Sequence, residues 1–149
     1  MYQALVMVAA LALADDTATG SSAAAASVAK TKATTASFAM HSIETKILNE
    51  TNEERARHGL PALEMDTRLM TTARNHCAWM TRGRRLQHTS LPVAENIAMG
   101  QRSAVEALDS WMSSSGHRAN ILNRGHRKIG VAAYRTPDGT IYWCQQFTH

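Results

Sequence analysis

The sequence predicts a single domain of the α+β class, with its helices first and its strands last. Three segments carry apolar residues at helical spacing between recognisable caps. Two strand-like runs joined by a turn follow at the end of the chain. A length of 149 residues, with 44% hydrophobic residues, allows one domain with a substantial core.

The first forty residues are expected to lie outside this domain. Residues 1–14 hold an apolar run that closes on Ala12-Leu13-Ala14, which is typical of a secretory signal peptide, although a buried helix is the alternative. The run of about eleven residues is too short for a membrane-spanning helix, which needs roughly twenty. Residues 15–40 are mostly Ala, Ser and Thr, which predicts a disordered linker. We therefore expect a secreted or periplasmic protein whose domain occupies residues 41–149.

Two long helices open the predicted domain. The first runs from about Ser42 to His58, where Gly59 and Pro61 form the usual order of stop signals. The second begins after Asp66, a natural N-cap, and ends near Gly83. One side of the second helix carries an apolar stripe made of Leu69, Ala73, Cys77 and Met80.

An irregular segment separates these helices from the next one. Residues 84–100 show no helical or strand period, and we expect a loop that carries functional groups. Ser103-Ala104-Val105-Glu106 is a capping box that begins a third helix, and residues 117–122 form a short helical turn. Strands are predicted at Lys128 to Tyr134 and Thr140 to Phe147, joined by a hairpin turn.

Two cysteines, Cys77 and Cys144, lie far apart in the sequence. In an exported protein such a pair is expected to form a disulfide. Closing a loop of about 67 residues would stabilise the fold by roughly 4 kcal/mol in the chain-entropy model.

The chain is basic, with a net charge of +4 and a pI near 9.4. One possible reason is attraction to an anionic envelope polymer or nucleic acid. No aromatic residues or nucleic-acid motifs accompany the arginines, so we interpret them as a solvated face and expect no nucleic-acid partner. The basic residues concerned are Arg82, Arg84, Arg85, Arg124, Arg127 and Lys128.

A series of short motifs runs through nearly all of residues 42–149. Their order and spacing resemble the CAP superfamily, which comprises cysteine-rich secretory proteins, antigen 5 and pathogenesis-related proteins, in its compact bacterial form, also called SCP-like. The matching residues are Asn52 with Arg55, Gly59-Leu60, Ala73 with His76 and Met80, Leu86 with His88, Glu95-Asn96-Ile97-Ala98, Trp111-Met112, Gly116 to Leu122, Ile129-Gly130-Val131, and Tyr142-Trp143 with Phe147.

The resemblance implies an α-β-α sandwich, in which helices cover both faces of a small antiparallel sheet. It also implies a cleft in which His88, Glu95 and His117 converge, with the two histidines as candidate ligands of a divalent metal such as zinc. His76 lies beside the apolar stripe of the second helix and is interpreted as structural. Where many relatives have a second acid, this chain has Ser114, and Glu106 is already explained by its capping role.

The function implied is a secreted, monomeric, non-catalytic binding module for a metal ion, a lipid or an envelope component. A metal-assisted hydrolase or protease is the first alternative. The chain has no H-E-x-x-H motif and no G-x-S-x-G elbow, which weighs against it. Sterol or lipid binding is the second alternative, and the short segment between Gly100 and Trp111 leaves little chain for a large apolar pocket.

Overall fold

The computed structural model describes residues 38–149, and within this range the chain forms four helices and four strands. The predicted signal peptide and most of the predicted linker lie outside the described residues. In chain order the elements are α1 (Ser42–Arg57), β1 (Glu64–Met65), α2 (Thr67–Gly83), β2 (Ala94–Met99), α3 (Ala104–Met112), α4 (Ser115–Ile121), β3 (Lys128–Arg135) and β4 (Ile141–Thr148).

The helices begin where their capping residues predict. The carboxylate of Asp66 accepts hydrogen bonds from two backbone N–H groups in the first turn of α2, both at 2.9 Å. Ser103 accepts from the backbone N–H of Glu106, while Glu106 accepts from the backbone N–H of Arg102. Glu106 therefore takes part in capping α3, although through the backbone N–H of Arg102 rather than that of the N-cap residue Ser103.

The folded part begins earlier than the predicted boundary at His41. Phe38 and Met40 pack against the core, and the guanidinium of Arg74 lies 4.6 Å from the centre of the Phe38 ring. The same side chain donates a hydrogen bond to the carbonyl of Ala39. The last three residues of the predicted linker thus belong to the folded unit.

The four strands form one mixed sheet in the order β1-β3-β4-β2. β2 and β3 both pair antiparallel with β4, whereas β1 pairs parallel with β3. The three longer strands form the small antiparallel sheet that was predicted, and β1, a two-residue strand formed where the chain enters α2, adds one parallel pair that was not. The prediction of a loop over residues 84–100 is also wrong in part, because β2 occupies its second half.

Helices cover both faces of the sheet, which confirms the sandwich architecture. On one face, Ala73, Cys77 and Met80 of α2 pack on Ala132 and Cys144. The other face packs mainly against α1 and α3, through a core that includes Ile47, Leu108, Trp111, Val131, Trp143 and Phe147. No helix within residues 38–149 is long and apolar enough to cross a membrane.

Candidate functional site

Glu95, near the start of β2, is the centre of the candidate site. The residue is 7% exposed. Its Oε1 atom accepts hydrogen bonds from His88 Nδ1 and from the backbone N–H of Thr89, both at 2.9 Å. A buried carboxylate requires such donors, because water no longer solvates its charge. Glu95 therefore holds the loop that carries His88 against the edge strand of the sheet.

The other carboxylate oxygen of Glu95 is held by β4. Gln146 lies opposite Glu95 in the strand register, and its Nε2 donates to Glu95 Oε2 at 3.0 Å. Gln146 Oε1 accepts from Thr72 Oγ1 at 2.7 Å, so both ends of the amide are engaged. Cys144 Sγ also donates to Glu95 Oε2, at 3.6 Å. The carboxylate thus has four donors, and its position is set by β2, β4 and α2 together.

The hydrogen bond to Glu95 determines which nitrogen of His88 is free. A carboxylate only accepts, so the proton lies on His88 Nδ1, and in the neutral ring Nε2 is left with a lone pair. The side chain of His88 is 59% exposed. A nitrogen that could bind a metal ion or a proton is therefore open to solvent and oriented by a buried acid.

His76, interpreted from the sequence as structural, also borders the candidate site. It lines a cavity of about 330 Å³ together with His88, Trp79, Gln87, Thr89 and Ser90. Its Nε2 lies 2.8 Å from the carbonyl oxygen of Gln87 and 3.7 Å from Glu95 Oε2. Because a carbonyl only accepts, His76 Nε2 carries a proton and is not a metal ligand through that atom.

The sequence interpretation did not recognise His76 as part of this cavity. It stacks on Trp79, with ring centres 5.5 Å apart. The signal that could have indicated this place is that His76 is one of the residues that carry the family resemblance.

His117, on α4, reaches the site through its backbone. The carbonyl oxygen of His117 accepts from Asn96 Nδ2 at 3.1 Å, and Asn120 Nδ2 donates to the carbonyl of Glu95 at 3.2 Å. Burial and, to a smaller degree, the nearby His88 lower the pKa of His117. Within residues 38–149 the imidazole of His117 makes no hydrogen bond, so both ring nitrogens remain available.

Buried amides connect the backbone of His117 to α1. Asn96 Nδ2 also donates to Gln145 Oε1 at 3.2 Å, and Gln145 Nε2 donates to Thr51 Oγ1 on α1 at 2.7 Å. Consecutive residues of a strand point to opposite faces. Gln145 therefore supports the His117 side, while Gln146 supports Glu95 and His88.

The structure brings the three predicted site residues together to different degrees. His88 and Glu95 are in direct contact, whereas His117 bonds to neither side chain and does not line the cavity beside His88. In the described part of the chain, no group of three or more His, Cys, Asp or Glu side chains is arranged to hold a metal ion. Ser114, which stands where many relatives have a second acid, is the N-cap residue of α4.

The predicted disulfide is absent, because Cys77 and Cys144 are both free and buried. They belong to the same apolar cluster, but each thiol has another partner. Cys77 Sγ donates to the carbonyl of Tyr142 at 3.1 Å, and Cys144 Sγ donates to Glu95. Burial raises the pKa of Cys77 to about 12 and that of Cys144 well above its usual range. Neither thiol is suited to act as a nucleophile.

Solved structures with the same fold include an extracellular protein and an outer surface protein. An SCP-domain extracellular protein of Bacillus anthracis is 28% identical, with a TM-score of 0.62, over 71% of this chain and 40% of that one. An outer surface protein of Borrelia burgdorferi has a TM-score of 0.64 at 21% identity, over 69% and 89%. NaASP2, solved with Zn²⁺, has a TM-score of 0.57 at 16% identity, over 70% and 78%.

Sequence comparison leads to the same family. The uncharacterized protein YkwD of Bacillus subtilis is 34% identical over 140 residues, which make up 82% of this chain and 53% of that protein. The chain thus spans about half the length of this relative. Residues 48–147 match the model of the cysteine-rich secretory protein family, CAP. The chain is therefore a member of the CAP family.

Proposed function

We propose that this CAP domain is a secreted, non-catalytic binding module that holds one divalent metal ion, of the zinc type, between His88 and His117. The observation that carries the proposal is the contact between Glu95 and His88 Nδ1, at 2.9 Å. Metal-binding histidines commonly donate their second ring nitrogen to a carboxylate, which fixes the tautomer and raises the basicity of the ligand.

The residues present fit such an ion. His88 offers Nε2, and His117 has no competing hydrogen bond within residues 38–149. The lowered pKa of His117 favours its neutral form, which is the form that binds metal. Glu95 would act behind His88 rather than as a ligand, since four donors already occupy its oxygens. Two protein ligands leave coordination positions for water or a small ligand.

A small ligand would enter through the cavity beside His88. Polar side chains make up most of its lining, which favours a polar ligand over a sterol. The hydrolase alternative gains no support from the cysteines, because both thiols are buried and have raised pKa values. The extracellular relatives support export, and the zinc in NaASP2 supports the choice of metal.

Zinc binding by the purified full chain tests the proposal. Equilibrium dialysis at neutral pH should give one zinc ion per chain. His88→Ala and His117→Ala should each weaken binding by at least about tenfold, and Glu95→Gln by about 10- to 100-fold through loss of orientation. His58→Ala is the matched control, because His58 is exposed and lies at the end of α1.

Two results would refute the proposal. One is a wild-type chain that takes up no zinc at micromolar concentration. The other is a His88→Ala variant that binds zinc as tightly as the His58→Ala control.

A further inference from the structure

A second polar cluster lies at the end of α1, in a part of the fold that the proposed metal site does not involve. Its central residue is Arg55, whose side chain is fully buried. Arg55 Nε donates to the carbonyl of Pro61 at 2.9 Å, and Nη1 donates to the carbonyls of Ile121 and Asn123 at 2.7 and 3.0 Å. All three acceptors are neutral, so these bonds do not balance the charge of the guanidinium.

No counterion compensates Arg55 within residues 38–149, where none of the ion pairs includes it. The charged side chain that most affects the pKa of Arg55 is Arg127, which is also positive. Burial and, next, the positive charge of Arg127 lower the pKa of Arg55. A buried charge in a protein is normally paired, because the loss of hydration is costly. This site therefore has an excess of positive charge that an anion would compensate.

The cluster also contains polar atoms without partners. In the described part of the chain, four buried side-chain nitrogen or oxygen atoms have no hydrogen-bond partner, and three of them belong to this cluster. They are Arg55 Nη2 and both ring nitrogens of His126. Buried polar groups are satisfied in most proteins, and an exception often marks a bound ion or water.

The two residues are neighbours. The carbonyl of Asn123 accepts from Arg55 Nη1 at 3.0 Å and from the backbone N–H of His126 at 3.4 Å. The His126 ring stacks on Phe147, with ring centres 5.4 Å apart, and lies 5.6 Å from the ring of His149. His126 is only 5% exposed. Burial, His149 and Arg55 lower its pKa, which favours the neutral ring with one N–H to donate.

We propose that a small inorganic anion of the halide class, such as chloride, binds between Arg55 Nη2 and the ring N–H of His126. The guanidinium supplies the charge and His126 supplies a second donor. Because the three unpartnered atoms are shielded from solvent, the site excludes bulky anions. A water molecule could occupy the same hydrogen bonds, but it would leave the charge of Arg55 uncompensated. By contacting both Arg55 and His126, the bound anion would stabilise the packing of residues 122–127 against α1 and β4.

Halide-dependent stability tests the proposal, and the test does not depend on the zinc site. The full chain is unfolded and then refolded in sodium chloride or in sodium gluconate at equal ionic strength. The Tm of the refolded protein is then measured in each salt. Gluconate is too bulky for an enclosed site. With a low-millimolar dissociation constant, 100 mM chloride should raise Tm by about 5 °C or more, and the rise should saturate.

Two variants and a structure make the test specific. His126→Phe keeps the stacking on Phe147 but removes both ring nitrogens, and it should abolish the difference between chloride and gluconate. His58→Phe is the control and should retain it. Crystals grown in bromide should show one anomalous peak between Arg55 and residue 126.

Three outcomes would overturn the proposal. The first is a wild-type Tm that is equal in the two salts. The second is a chloride effect that persists in His126→Phe, which would indicate a general salt effect. The third is density for water, with no anomalous signal, at this site.

Discussion

Replacing Gly130 by alanine should be among the most damaging small substitutions in this domain. Gly130 lies on β3, where the backbone of α2 crosses the sheet. A Cβ atom at this position would lie 2.1 Å from the carbonyl carbon of Leu69, 2.3 Å from its oxygen and 2.5 Å from the backbone nitrogen of Met70. Carbon atoms in contact are normally about 3.5 to 4.0 Å apart. The helix backbone would have to move by more than about 1 Å.

Such a movement would disturb the whole interface between α2 and the sheet. Met70 Sδ accepts a hydrogen bond from the backbone N–H of Val131 at 3.1 Å, and Ala73 and Cys77 are fully buried against the sheet. Overpacking of a core costs about 1 to 3 kcal/mol when side chains can adjust. Here the obstacle is backbone, so we expect about 3 kcal/mol, which corresponds to a fall in Tm of about 12 to 24 °C.

Urea unfolding followed by circular dichroism measures this effect. Gly116→Ala is the matched control, because a Cβ on Gly116 of α4 would meet no atom within 4 Å. Alanine favours the helix over glycine, so the control should be unchanged or more stable by up to about 1 kcal/mol. If Gly130→Ala unfolded within about 0.5 kcal/mol of the wild type, the close approach of α2 to β3 would be refuted.

Two further predictions concern buried titratable groups. Because burial raises the pKa of Cys77 to about 12 and that of Cys144 well above its usual range, neither thiol should react with a disulfide reagent such as DTNB at about pH 8 in the folded protein. Two thiols per chain should react in urea, and rapid labelling without urea would contradict the buried placement. Burial, His149 and Arg55 lower the pKa of His126, so the unfolded chain takes up this proton at a higher pH than the folded chain. The free energy of unfolding should therefore fall as pH drops below about 6.5, less steeply in His126→Phe, and an equal slope in both proteins would contradict the assignment.

The boundaries of the long helices could be read from the sequence because their signals are local. Asp66 and Ser103 cap helices that begin at the next residue, and Gly59 lies just past the end of α1 with a φ of 64°. A cap and the turn that it stabilises lie within a few residues of each other, so no knowledge of the tertiary structure is needed.

The strand β2 could not be read in this way. Glu95 and Asn96 are polar, and adjacent buried polar residues do not match the pattern of a half-buried strand. Both are accommodated because β4 supplies Gln146 and Gln145 as partners from 51 and 49 residues away. Dependence on a partner far away in the sequence also explains β1, whose two residues form a strand only by pairing with β3.

The sequence by itself determined the family, the order of the helices and the β3–β4 hairpin, and it identified His88, Glu95 and His117 as candidate site residues. Only the tertiary structure decided that Glu95 holds His88 through Nδ1, that His76 lines the same cavity, and that Cys77 and Cys144 are free thiols with separate partners. The physical reason is that capping and periodicity act within a few residues of the chain. The partners of a buried polar group, in contrast, depend on strand register and on how helices pack across the sheet.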